Sequence, residues 1–212
     1  MAGILTNAAA GKRFIDRDDV DLDEVRELLG DIIADGRRAS DVVRGIRSMV
    51  KKEQAARGSV DLNAVVLDAV RMASPDALLH SCQLETSLDA SLPVAEGDPV
   101  QLQQVLLNLI INAFDAMRDT PVSRRKVVIA TQSNGDGTVH TSVRDYGMGI
   151  SEEMRKRVFD PFFSTKSEGL GMGLAIVRSI VESHGGTITA ENADGDGTRF
   201  KFVLPVNGEF SG

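Results

Sequence analysis

Apolar residues recur along the chain with two different periods, and the change of period divides it. From Val25 onward, Val25, Leu29, Ile32, Gly36, Ala39, Val43, Ile46 and Val50 alternate in steps of four and three. That is the seam of a coiled coil or helical bundle. Asp21, with Glu24 three residues later, gives this helix a capping-box-like start. Residues 3–14 carry a shorter helical pattern with Ile4, Leu5, Ala8 and Phe14 on its buried side, and residues 16–19 turn the two helices into a hairpin.

The charged stretch 51–57, closed by Gly58, reads as a junction. Beyond it helical and alternating patterns take turns. Residues 62–73, 101–117 and 173–183 read as helices, the last stopped by His184-Gly185-Gly186. Residues 82–88, 126–132, 138–144, 187–191 and 198–204 read as strands, with hairpin turns at 133–137 and 194–197. The expected fold is α/β: a two-layer sandwich of a mixed, mostly antiparallel sheet against helices, preceded by a helical hairpin. The domain division is 1–56 and 57–212. Two helices cannot bury so long a seam alone, which points to a four-helix bundle formed by two chains, or to packing against the chain's own second domain.

Composition narrows the partners. Of 212 residues 42% are hydrophobic and 26% charged, as in a soluble globular protein. No apolar run reaches the roughly 20 residues of a membrane span, so no membrane contact is expected in this stretch. The single Cys82 excludes an internal disulfide framework and makes a reducing cytoplasm the default, although the full-length protein could be membrane-anchored. A net charge of −7 without a basic stripe argues against nucleic acid.

The helix at 101–117 carries an unusual polar stripe: Gln101, Gln104, Asn108, Asn112 and Asp115 share one face, opposite Leu102, Leu106, Leu109, Ala113 and Met117. Asn is a poor helix former that competes for backbone hydrogen bonds. Two of them one turn apart suggest a hydrated metal ion or polar ligand; a polar face under a loop is the plainer alternative. Asp145-Tyr146-Gly147-Met148-Gly149 closes a strand, where a carboxylate could meet an exocyclic amine such as that of adenine, although Asp-x-Gly also occurs in ordinary turns. Gly169-Leu170-Gly171-Met172-Gly173 opens a helix, where backbone N–H groups suit phosphate. Between them, Phe159, Phe162 and Phe163 precede Lys166, either as a satellite apolar cluster or as a lid whose cation meets phosphate.

These motifs, in this order, resemble the ATP-binding catalytic domain of sensor histidine kinases within the GHKL ATPase group. Residues 108–117 look like the N box, 145–149 the first glycine box, 158–166 the F box, 169–174 the second glycine box and 195–200 the last Gly-x-Gly-Thr. The resemblance implies ATP and Mg²⁺ as cofactors, with Asn112 as the metal ligand and Asn108 supporting it. It implies that Asp145 accepts from the adenine N6 amine with Thr198 assisting, that Gly171 and Gly173 cradle phosphate, and that Ala113, Ile150 and Leu174 wall the base. Asp115, Gly147, Gly149, Lys166, Gly169 and Met172 complete the implied nucleotide-contacting set, Asn108 and Lys166 being the catalytic candidates. The implied reaction is transfer of the γ-phosphoryl to a histidine, where positioning and charge neutralisation supply most of the catalysis. The implied partners are a second copy, through the hairpin, and a response regulator receiver domain.

The acceptor histidine is expected before the segment at residues 3–8, outside this chain. His80 reads as a loop residue, His140 as a strand residue and His184 as a helix terminus. One rival is a GHKL hydrolase of the gyrase, chaperone or mismatch-repair kind, which would place a general-base Glu where Asn108 stands. The other is a dimerising module that holds nucleotide as a structural ligand.

Overall fold

Asp21 begins the second helix of the hairpin, its Oδ1 accepting from the N–H groups of Asp23 at 3.0 Å and Glu24 at 3.2 Å. The computed structural model describes residues 2–15, 21–32, 36, 58–135, 137–164, 171–193 and 195–206. In the hairpin, α1 spans Ala2–Ile15 and α2 spans 22–32. Asn7 Nδ2 reaches Asp31 Oδ2 at 3.4 Å, and Leu28 lies beside Gly11, where an added Cβ would be 3.9 Å from Leu28 Cδ1.

The half-buried face of α1 is Ile4, Asn7, Ala10, Gly11 and Phe14. Leu5 is 73% exposed and Ala8 is exposed too, contrary to expectation. That face centres on Asn7, from which, at about 100° per residue, Ala8 lies about 100° away and Leu5 about 160°. On α2, Leu28 packs inward beside Val25 and Ile32, while the seam residue Leu29 is 52% exposed. The later seam positions Ala39, Val43, Ile46 and Val50 lie outside the described residues.

In the second part, β1 (Gly58–Val60) pairs antiparallel with β3 (Ala95–Gly97), a short ribbon absent from the periodicity reading because three-residue strands carry no pattern. The helix α3 runs Leu62–Leu79, six residues beyond the expected Ala73, continuing through Pro75. Asp61 caps its start, accepting from Asn63 and Ala64 N–H. The next helix, α4, is Pro99–Ala116 with Asp98 as N-cap and Pro99 in the first turn. A third long helix, α6, is Gly173–Ser183, and a short α5 spans Glu152–Arg157.

The main sheet holds β2 (Gln83–Ser87), β4 (Lys126–Ser133), β5 (Thr138–Arg144), β7 (Thr198–Pro205) and β6 (Thr187–Asn192), in that spatial order. Its β2–β4 pair is parallel and the remaining pairs are antiparallel, so the sheet is mixed as expected. Inward residues alternate along each central strand: Val127, Ile129 and Thr131; Val139, Thr141 and Val143; Phe200, Phe202 and Leu204. They share one core with Leu62, Val66 and Ala69 of α3, Leu102, Leu106 and Leu109 of α4, and Ile176, Val177 and Val181 of α6. The two-layer architecture follows. Among the described residues, no helix is long and apolar enough to cross a membrane.

Candidate functional site

The site forms where the loop after β5, with its two glycines, meets the C-terminal end of α4. Asp145, at the end of β5, is 2% exposed. Its Oδ1 accepts from the N–H of Gly147 at 2.8 Å and of Thr198 at 3.2 Å, while its own N–H donates to Thr198 O at 2.9 Å. Burial pushes the Asp145 carboxyl above the usual range, opposed by the Gly147 and Thr198 N–H groups and by the Arg144 charge. Both backbone donors converge on Oδ1. Neither of these N–H groups occupies Oδ2, which stays an acceptor for a ligand amine.

Two glycines make this packing possible. A Cβ at Gly147 would lie 2.4 Å from Ala116 O, so the loop after β5 sits directly on the end of α4. A Cβ at Gly197 would lie 2.1 Å from Asp145 O, and Gly197 has φ +95°. Tyr146 N–H meets Met117 Sδ at 3.4 Å on the same surface. The sequence pattern thus brings Asp145, Gly147 and Thr198 together beside the end of the Asn-bearing helix.

Along α4 the stripe Gln101, Gln104, Asn108, Asn112 and Asp115 is half-buried, between the fully buried core face and solvent. Asn108 Nδ2 is buried without an acceptor among the described residues. An amide N–H₂ in that state calls for an incoming acceptor, and a phosphate oxygen or metal-bound water provides one. Asp115 pairs with Arg118 at 3.4 Å, and Ala113 is buried. No cluster of His, Cys, Asp or Glu among the described residues could itself enclose a metal. Towards the site, the stripe offers the amides of Asn108 and Asn112. A sparse oxygen and N–H set of that kind would suit Mg²⁺, which keeps water and phosphate oxygens as ligands and needs few from protein.

Around the other glycine loop, Gly171 has φ +66° and its O accepts from Phe162 N–H at 3.1 Å. A Cβ at Gly171 would lie 2.5 Å from Phe163 O, so the Phe loop and the glycine loop fit together only without a side chain there. Phe159 packs edge-on against Phe200 with centroids 6.1 Å apart, whereas Phe162, at φ +64°, is 74% exposed. Met172 turns its side chain into the core, so its offer to a ligand is backbone. Gly173 begins α6 with open space where a Cβ would stand, and Leu174 packs partly on the core. Lys166 and Gly169 lie outside the described residues.

Ile150 is held by a residue that sequence reasoning passed over. Asn192, at the end of β6, accepts from Ile150 N–H at 2.8 Å and donates to Ile150 O at 2.9 Å. An Asn before a Gly-rich turn reads only as a turn residue, so nothing local signalled this. The short α5 did leave a signal: Ser151 accepts from Met154 N–H, acids fill its first turn and bases its last. Each of the three histidines is engaged elsewhere. His80 stacks on Phe114 at 5.4 Å, His140 Nε2 contacts Asn134 Nδ2 at 3.0 Å, and His184 is buried at the end of α6.

Residues 97–208, over half of the chain, match the family model "Histidine kinase-, DNA gyrase B-, and HSP90-like ATPase". The sensor histidine kinase ZraS of Klebsiella oxytoca is 39% identical over 198 residues, covering 93% of this chain and 42% of that protein. The catalytic domain of the histidine kinase ThkA superposes with TM-score 0.63 at 29% identity, covering 72% of this chain and 97% of that one. A structure of ThkA in complex with the response regulator protein TrrA gives TM-score 0.74 at 25% identity over 97% of this chain and 58% of that one. The chain spans between 21% and 42% of the length of the curated relatives it matches. Buried Asp145 under paired backbone donors, the Asn stripe and the interlocked glycine loops thus sit within a sequence that belongs to the histidine kinase-, DNA gyrase B- and HSP90-like ATPase family, as the catalytic domain of a sensor histidine kinase.

Proposed function

We propose that residues 57–212 bind Mg-ATP and pass its γ-phosphoryl to a histidine outside these 212 residues, for relay to an aspartate of a response regulator. The observation that carries this is Asp145: a buried carboxylate whose Oδ1 is held by Gly147 and Thr198 N–H while Oδ2 is left for the adenine amine. Ala113, Ile150 and Leu174 would wall the base. The N–H groups of Gly171 and Gly173 at the start of α6 would meet phosphate oxygens, with Lys166 adding charge. The Asn112 amide oxygen would ligate Mg²⁺, and Asn108 Nδ2 would donate to a phosphate oxygen or a metal-bound water. Bound there, Mg²⁺ would neutralise charge on the phosphates.

In the transfer, an N–P bond forms to the unprotonated nitrogen of the acceptor imidazole, whose other nitrogen gives its proton to solvent. The bond between γ-phosphorus and the bridging oxygen breaks, and ADP leaves with the electron pair. Asn108 cannot take a proton from water at neutral pH, which favours transfer to an acceptor over hydrolysis. Residues 1–56 would belong to a helical hairpin that dimerises; its exposed Leu5, Ile15, Leu22 and Leu29 support this. The ThkA–TrrA complex supports a receiver domain as the downstream partner, and a cytoplasmic setting follows from the same reading.

The test is incubation with radiolabelled Mg-ATP, with and without a separately supplied acceptor helix bearing a histidine. Acid-labile label on the acceptor, with slow hydrolysis in its absence, is the expected result. Brisk turnover without the acceptor would sink the transfer reading in favour of a hydrolase.

A further inference from the structure

We infer that His184 is a positioning residue for this site, fixing the register of α6 against α4 and with it the height of Gly173 over Asn108 and Asn112. The inference rests on the nucleotide reading above. His184 ends α6, is 5% exposed, and uses both ring nitrogens. Nδ1 lies 2.7 Å from Ile180 O, and Nε2 lies 3.0 Å from the N–H of Asp98. A carbonyl can only accept and an amide N–H can only donate, so the ring carries its proton on Nδ1 and accepts through Nε2. Asp98 is the N-cap of α4, its carboxylate accepting from Val100 and Gln101 N–H. One imidazole therefore ties the last turn of α6 to the first turn of α4. Gly97 makes room for it: a Cβ there would lie 2.7 Å from His184 Cδ2.

From that tie the two helices run back along each other. α6 has 11 residues, so Gly173 stands about 16 Å from the tie at 1.5 Å per residue. Along α4, Asn108 and Asn112 stand about 15 and 21 Å from Asp98 by the same rise. The glycine end of α6 is thus brought level with the two Asn residues. Apolar packing alone does not select this level, because ridges repeat every three or four residues and a slip of one turn, about 5.4 Å, offers similar grooves. A single directional bond between helix ends removes that freedom. Misplacement at a phosphate site is expensive, since about 1 Å can forfeit two orders of magnitude in rate.

The experiment titrates the full chain and its H184N and H184Q variants with Mg-ADP and with adenosine, alongside thermal melts, at a temperature where all are folded. Asn keeps a donor for Ile180 O but is too short to reach Asp98 N–H; Gln places an acceptor near Nε2. Expected for H184N is a loss of about tenfold or more in Mg-ADP affinity with adenosine binding unchanged, and recovery of most of it in H184Q. Should H184N not fold, Gly97→Ala, which crowds the ring away from Asp98, is expected to show the same selective loss. Mg-ADP binding by H184N equal to the unmutated chain, or equal losses for both ligands, would overturn the register role alone. Failure of the unmutated chain to bind Mg-ADP would overturn the nucleotide reading and this inference with it.

Discussion

Asn192 grips Ile150 across the gap between β6 and the first glycine loop, its side-chain amide bonding both the N–H and the C=O of that one residue. Gly149, just before it, has φ +77°, and a Cβ there would lie 2.9 Å from Asn192 Oδ1. The clamp sets the path of the loop that carries Ile150 towards the proposed base pocket. Each of its bonds is worth about 1 kcal/mol net. Asn192→Ala should weaken ADP binding about fivefold and lower the melting point by a few degrees, read by calorimetry and thermal melts. An unchanged affinity would remove Ile150 from the pocket.

Asp145 should trade stability for binding. Its native pKa is raised, chiefly by burial, so between the unfolded and folded values the native state holds more proton than the unfolded chain. Stability is then full below the unfolded value and is lost as pH rises through the folded one, beyond which the curve is flat. Asp145→Asn keeps an oxygen for Gly147 and Thr198 N–H without the buried charge. Its melting point should match that of the unmutated chain in acid and exceed it increasingly as pH rises through that window. ADP binding should fall about 100-fold, because an amide N–H₂ would face the adenine amine. A variant less stable at pH 7 than at pH 4, relative to the unmutated chain, would contradict the assigned cause.

The order of these parts was legible because each carries a local signature. Asp145-x-Gly147, the glycines before α6, the 3.6-residue apolar period of α4 and the alternation of β4, β5 and β7 all act within a few residues. What stayed hidden depends on distant partners. Asn192 meets Ile150 42 residues away, and His184 meets Asp98 86 residues away. The helix read over 62–73 continues through Pro75 to Leu79, with Ala73 and Ala77 buried on either side of the proline. On α1, Leu5 was expected inside on apolarity alone, whereas the half-buried face includes Asn7, which bonds Asp31.

Gly197 tests whether the last glycine box acts through Asp145. A Cβ would press on the Asp145 carbonyl at 2.1 Å, and φ +95° is strained for any L side chain. Gly197→Ala should therefore lose roughly 2–4 kcal/mol of stability together with ADP binding. Gly195→Ala, also at positive φ but with open space around it, should lose less stability and keep its affinity. Equal effects at the two positions would show that turn strain, and not contact with Asp145, governs the loop.

Thr131 on β4 and Thr141 on β5 face each other in register, both buried on the core side, yet their hydroxyls stand in opposite states. Thr131 Oγ1 donates to Asn63 Oδ1 at 2.7 Å and accepts from Asp89 N–H at 3.1 Å, joining the start of α3 and the loop after β2 to the sheet. Thr141 Oγ1 is buried with no partner among the described residues. Removing a bonded hydroxyl strands its partners, whereas removing an unbonded one relieves a desolvation penalty of about 1–3 kcal/mol. Thr131→Val should lower stability by about 1–3 kcal/mol, and Thr141→Val should raise it by about 1 kcal/mol, a rise of roughly 2–4 °C at this chain length. Neither residue belongs to the nucleotide site, so ADP affinity should hold in both. Paired denaturant melts decide it: shifts of the same sign would mean that burial, not hydrogen-bond satisfaction, sets the stability at this point of the core.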